Sequence, residues 1–111
     1  MKLSTEELDG GVTRVVLDGR LDIEGAQAVD LRMNVVAGSA QKLMIDLSSV
    51  SFLGSMGLRS IVVPAQTVKR RGGKTVLFQP QPMVEEVLRA SNIVSLIPVC
   101  HDMETALTAL A

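Results

Sequence analysis

The sequence predicts an α/β fold: a small, mostly parallel sheet that opens with one antiparallel hairpin and alternates with four helices. Two observations predict it. From about residue 20 onward, short apolar runs alternate with segments of helical period, and parallel strands joined by helical crossovers produce that alternation. Ahead of it, two strand-like runs are separated only by a turn containing Gly10 and Gly11. The implied order is β-β-α-β-α-β-α-β-α, without repeats, linkers or low-complexity segments, so residues 1–111 read as one domain.

"LSTEEL", "DGG" and "VTRVVLDG" form the hairpin, because paired glycines take positive φ at no steric cost. After "GRLD" the period changes: Ala26, Val29, Met33 and Ala37 recur at helical spacing, with Asp30, Arg32 and Asn34 off that stripe. Asp22 is the expected N-cap, Glu24 suits the first turn, and Gly38 is expected to end this helix. A buried strand follows at Leu43 to Leu47. The next helix runs from about Met56 to Lys69 and contains Pro64, which removes a hydrogen bond and crowds the Ser60 carbonyl; a kink or an early end with a short restart is expected. "KRRGGK" closes it with cations and glycines, and "KTVLFQ" is a strand. "PQPMVEEVLRASN" is a helix with Pro82 in its first turn, and "SLIPVC" is a short strand that Pro98 places at a sheet edge. "HDMETALTAL" is a last helix capped by Asp102.

Composition narrows the function. Apolar residues make up 47% of the 111, yet no run approaches the roughly 18 to 20 that a membrane span needs, so no membrane insertion is expected. "MKLSTEELDGG" turns acidic too early for a signal peptide. With one cysteine, Cys100, no internal disulfide forms, which favours a reducing, cytoplasmic setting. A net charge of −1 and only two aromatic residues argue against direct nucleic-acid binding. The basic cluster Lys69, Arg70, Arg71 and Lys74 reads as a solvated helix end. One histidine, His101, has no companions for a metal, and neither metal nor cofactor is expected. Met33, Met44, Met83 and Met103 are spaced mostly like core filler, whereas Met56 lies in a first turn beside a loop.

Two motifs fail on inspection. "FLGSMG" lacks the glycine that a nucleophile elbow needs at position 53, and His101 lies on another element. "VKRRGGKT" lacks the leading glycine of a phosphate-binding loop at Val68, and its glycines follow a helix instead of opening one. No catalytic residue is therefore assigned, and the chain is not expected to be an enzyme.

What remains is "LDGRLD", "MIDLSSVSFLGSMGL", "RRGGK" and "ASNIVSLIPV", which together resemble the STAS family of anti-sigma factor antagonists and cytoplasmic domains of sulfate transporters. The resemblance runs from about Val12 to Leu110, and Asp46 to Leu58 is its most specific part. It implies a STAS-like fold, a small mixed sheet with about four helices packed mainly on one face. It also implies a function: an antagonist in partner switching, whose serine at the start of the helix after the third strand is phosphorylated by an anti-sigma factor serine kinase. Aligned on the motif, that serine is Ser55. The unphosphorylated form binds the kinase and frees its target, phosphorylation breaks the complex, and a PP2C-type phosphatase restores it. Asp22, Gly54, Met56, Gly57 and Arg59 are the implied partner-binding residues. The alternative within the same family is a stand-alone subunit of an ABC-type transport complex, which needs no phosphoserine.

By residue type alone, Ser55 also reads as an ordinary helix N-cap. The chain departs from the family in carrying Gly54 where Asp or Ser is common, Met56 where Ser, Thr or Ala is common, and Pro64 inside the helix.

Overall fold

The computed structural model describes residues 1–111. Its elements run β1 (Lys2–Leu8), β2 (Val12–Leu21), α1 (Ile23–Ser39), β3 (Lys42–Leu53), α2 (Ser55–Arg70), β4 (Lys74–Phe78), α3 (Pro82–Ala90), a 3₁₀ turn (Ile93–Ser95), β5 (Val99–Cys100) and α4 (Met103–Leu110). The strands form one sheet in the order β1-β2-β3-β4-β5. β1 pairs antiparallel with β2, and every later pair is parallel. Because β2 to β5 step in one direction and such crossovers are right-handed, α1, α2 and α3 fall on the same face. Their buried residues, among them Val29, Met33, Ile61, Val68, Val84 and Leu88, share a core with Leu17, Leu43, Ile45 and Leu77 of the sheet. α4 covers the opposite face, where Ala106 and Leu110 pack with Met44, Val76, Phe78 and Cys100.

The hairpin turn needs its glycines, with φ of +85° at Gly10 and +78° at Gly11. Nothing lies within 4 Å of a Cβ built at Gly10, so Gly10→Ala meets only the torsional cost. That cost is about 1–2 kcal/mol, and the variant should unfold several degrees lower in a thermal melt.

Four local expectations change. α1 continues one residue past Gly38, to Ser39, and is capped by Ala40. Pro64 does not break α2, which runs through it to Arg70, with Pro64 itself buried. The ring removes one donor, but packing of Ile61, Ala65 and Val68 holds the helix on either side. The segment before Pro98 is a 3₁₀ turn, leaving only Val99–Cys100 as an edge strand beside β4. β3 extends well beyond Leu47 because it carries two extra residues relative to β2. Val16 and Asp18 face Asp46 and Ser49, while Gly19 and Arg20 face Val50 and Phe52. These bulges turn a two-residue alternation (Leu43, Ile45, Leu47) into three-residue steps (Val50, Leu53) while all five side chains remain in one core.

Candidate functional site

The parallel pairing brings Leu21 opposite Leu53, so the turns from β2 to α1 and from β3 to α2 lie side by side. The Gly54 N–H donates to the Leu21 carbonyl at 3.1 Å and ties them together. Gly54, in extended conformation (φ −106°, ψ −178°), is the N-cap of α2. Ser55 is therefore the first helical residue and not the cap. Gly54 has no side chain with which to cap α2, and Ser55, one residue into the helix, is exposed. No acidic side chain occupies the first turn of α2. A free hydroxyl thus stands at the positive end of the helix dipole, beside backbone N–H groups without helical acceptors.

Asp22 has a structural task in the neighbouring turn. Its Oδ1 accepts from the Gly25 N–H at 2.8 Å, capping α1, and its Oδ2 lies 3.5 Å from Arg20 Nε. The Gly25 hydrogen bond is the main reason its carboxyl sits below the usual range. The structure places the Asp22 turn beside Ser55 without a hydrogen bond between the two side chains.

Gly57 is buried, unlike its neighbours, with its Cα turned toward the Leu21 carbonyl and the side chains of Leu21 and Leu53. It acts as a spacer beneath the site, with little surface of its own open to a partner. Met56 is 41% exposed, and Arg59, one turn beyond Ser55, is also exposed.

Two residues absent from the sequence reading complete the surface. The Arg20 guanidinium lies 4.4 Å from the centroid of the Phe52 ring, and the ring edge adjoins the Gly54 Cα. The signal for them was the register that sets Arg20 opposite Phe52. With exposed Ile23 at the start of α1, Phe52 and Met56 give the rim of the site an apolar character unusual for solvent-facing turns. His101 is remote from this arrangement in its contacts: its Nε2 lies 3.0 Å from Glu85 Oε1 on α3. No three His, Cys, Asp or Glu side chains converge as a metal would require, and no helix is long and apolar enough to cross a membrane.

The STAS domain family model matches residues 4–106. The chain belongs to the STAS domain family. BtrV of Bordetella bronchiseptica, a protein named for anti-sigma factor antagonism, is 27% identical over 110 residues, covering 98% of this STAS chain and 94% of that protein. An anti-sigma factor antagonist from Mycobacterium paratuberculosis, known from its crystal structure, is 29% identical with a TM-score of 0.86, covering 98% of this chain and 92% of that one. The Bacillus cell fate determinant SpoIIAA, solved in its phosphorylated form, shares the STAS fold at 17% identity, with a TM-score of 0.73 and coverage of 99% and 100%. The mixed five-stranded sheet and four helices are thus those of the family.

Proposed function

We propose that this STAS domain is an anti-sigma factor antagonist that works in the cytoplasm by partner switching, with Ser55 as its phosphorylation site. The observation that carries the reading is the position of Ser55: exposed, first in α2, directly after a glycine N-cap that has no side chain. The names of its relatives support the class of partner, an anti-sigma factor. A phosphate there adds about −1.5 to −2 charges, which a helix N-terminus accommodates without refolding. The change falls on the visitor. An apolar rim of Ile23, Phe52 and Met56 that a partner buries against itself acquires a dianion at its centre, and desolvating that dianion weakens docking. Asp22, Gly54, Met56 and Arg59 frame the surface, the kinase-type anti-sigma factor occupies it, and a PP2C-type phosphatase resets it.

Incubation with the cognate serine kinase and ATP should add one phosphate, and Ser55→Ala should abolish the addition while retaining kinase binding. Ser55→Asp should weaken that binding by about 10- to 100-fold, as expected for a charge placed in a desolvated contact. Equal binding by both variants, with no phosphate incorporated, would return the chain to the transport-subunit alternative.

A further inference from the structure

One edge of the sheet stays open because β5 starts late. The Lys74 N–H donates to the Gln41 carbonyl on the β3 side of β4. The next residue, Thr75, therefore turns its own N–H and C=O to the opposite edge. Pairing with β5 begins on that edge only at Leu77, whose N–H donates to the Pro98 carbonyl. One step earlier, the Thr75 C=O falls opposite the Pro98 nitrogen, which has no hydrogen to give. The Thr75 N–H would need the Leu96 carbonyl, but the chain turns away there, with the Ile97 N–H bonded back to the Ile93 carbonyl. Thr75 is half-buried, both of its main-chain groups lack a partner, and its covered hydroxyl lacks one too.

An opening of about 230 Å³ lies over this gap, lined by Thr75, Lys69 and Lys74 together with Ala65, Leu96 and Ile97. It sits at the far end of α2, about 21 Å from Ser55 by helical rise. A cleft of about 110 Å³ continues it between α2 and the 3₁₀ turn, past Val62 and the 62%-exposed Leu96. No carboxylate side chain lines either space. None occurs anywhere from Leu47 to Val84, a stretch that holds Arg59, Lys69, Arg70, Arg71 and Lys74. Lys74 Nζ is engaged by the Ala111 carbonyl at 2.6 Å, whereas Lys69 has no ion pair. The last carbonyls of α2 accept from the N–H groups of Arg71, Gly72 and Gly73, so the negative end of the helix is covered.

We propose that this opening binds a small organic acid, a carboxylate carried on a short apolar tail. The lining selects the sign of the head group, because it offers cations and no anion. The carboxylate accepts the Thr75 N–H and pairs with Lys69. The aliphatic walls of Val62, Ala65 and Leu96 select the tail. At roughly 30 Å³ per water-sized group, the opening holds about eight heavy atoms, the size of hexanoate. The site is separate from the Ser55 surface and does not depend on the phosphorylation switch.

Hexanoate, titrated into the isotopically labelled protein at physiological salt, should shift the Thr75 backbone amide signal with a Kd on the order of 1 mM. Uncharged hexanamide should bind about tenfold more weakly, and acetate, which has no tail, at least about tenfold more weakly. Lys69→Gln should bring hexanoate down to the level of hexanamide and leave hexanamide unchanged. Leu96→Ser should weaken both by the same factor. Arg70→Gln removes an equal charge outside the lining and should change hexanoate binding by less than about twofold, because exposed charges are screened at this salt. Equal binding of hexanoate and hexanamide to the wild type overturns the proposal. So does an equal loss in Lys69→Gln and Arg70→Gln, which would mean diffuse charge attraction and no site. Equal binding of acetate and hexanoate removes the apolar tail from the proposal and overturns it as stated, and so does an unmoved Thr75 amide well above the expected Kd.

Discussion

Gly57→Ala should destabilise the domain by about 3 kcal/mol or more, the range of severe overpacking against backbone. A Cβ at this position would lie 2.2 Å from the Leu21 carbonyl oxygen, 2.7 Å from Leu21 Cγ and 2.9 Å from Leu53 Cδ1. The carbonyl cannot retreat freely, because it accepts the Gly54 N–H that joins the two turns. The leucines cannot retreat either, since Leu21 is fully buried and Leu53 nearly so. α2 must therefore lift from the sheet at its first turn, or the chain must unfold. Gly38→Ala is the control: a Cβ there meets nothing within 4 Å, and alanine should stabilise the helix by up to about 1 kcal/mol. Urea unfolding of both variants decides the matter. If Gly57→Ala kept its midpoint and lost only partner affinity, Gly57 would be a contact residue after all.

Gly57 also shows what a sequence reveals and what it hides. The hairpin glycines, the α1 stripe and the caps at Asp22 and Asp102 were legible because each depends on neighbours a few residues away. Asp22 and Asp102 accept the N–H groups of Gly25 and Thr105, three residues on. The role of Gly57 depends on Leu21, 36 positions earlier in the numbering, so spacing alone could not separate a spacer from a docking surface. The far half of β3 was hidden because its bulges replace a two-residue alternation with steps of three at Leu47, Val50 and Leu53. Ser55 looked like a cap by residue type, and only the backbone shows Gly54 taking that place. Arg20 and Phe52 were silent for a similar reason: an arginine and a phenylalanine 32 positions apart become neighbours only through strand register.

The second large effect is expected at Asp46, on the face of the sheet opposite α2. Asp46 is fully buried. Its Oδ2 accepts from Arg14 Nη2 at 2.5 Å and Nε at 3.0 Å, and its Oδ1 accepts from the backbone N–H and hydroxyl of Ser48 at 2.9 and 2.6 Å. Ser48 lies in the first bulge of β3, so this carboxylate pins the distortion that carries the strand on toward Ser55. The Ser48 carbonyl also accepts from Gln81 Nε2, just before α3. Asp46→Ala removes four accepted hydrogen bonds and leaves Arg14 facing Phe78 without its anion. Breaking one side of a buried pair costs about 3 kcal/mol or somewhat more, with the partial exposure of Arg14 placing the effect at the lower end. Acid should reveal the same pair. Burial pushes the Asp46 carboxyl upward, but the bonds from Ser48 and Arg14 prevail and hold it below its ordinary value. A lowered folded-state pKa gives stability that is complete above the unfolded value, near pH 4, and is lost as pH falls through the folded value. Asp22, Glu85 and Asp102 are also lowered and weaken both proteins together in acid. The stability gap between wild type and Asp46→Ala should therefore be constant from neutral pH to about pH 4 and narrow below it. A gap that stayed constant into strong acid would mean that the carboxylate's charge contributes nothing, and that Asp46 holds the bulge by shape alone.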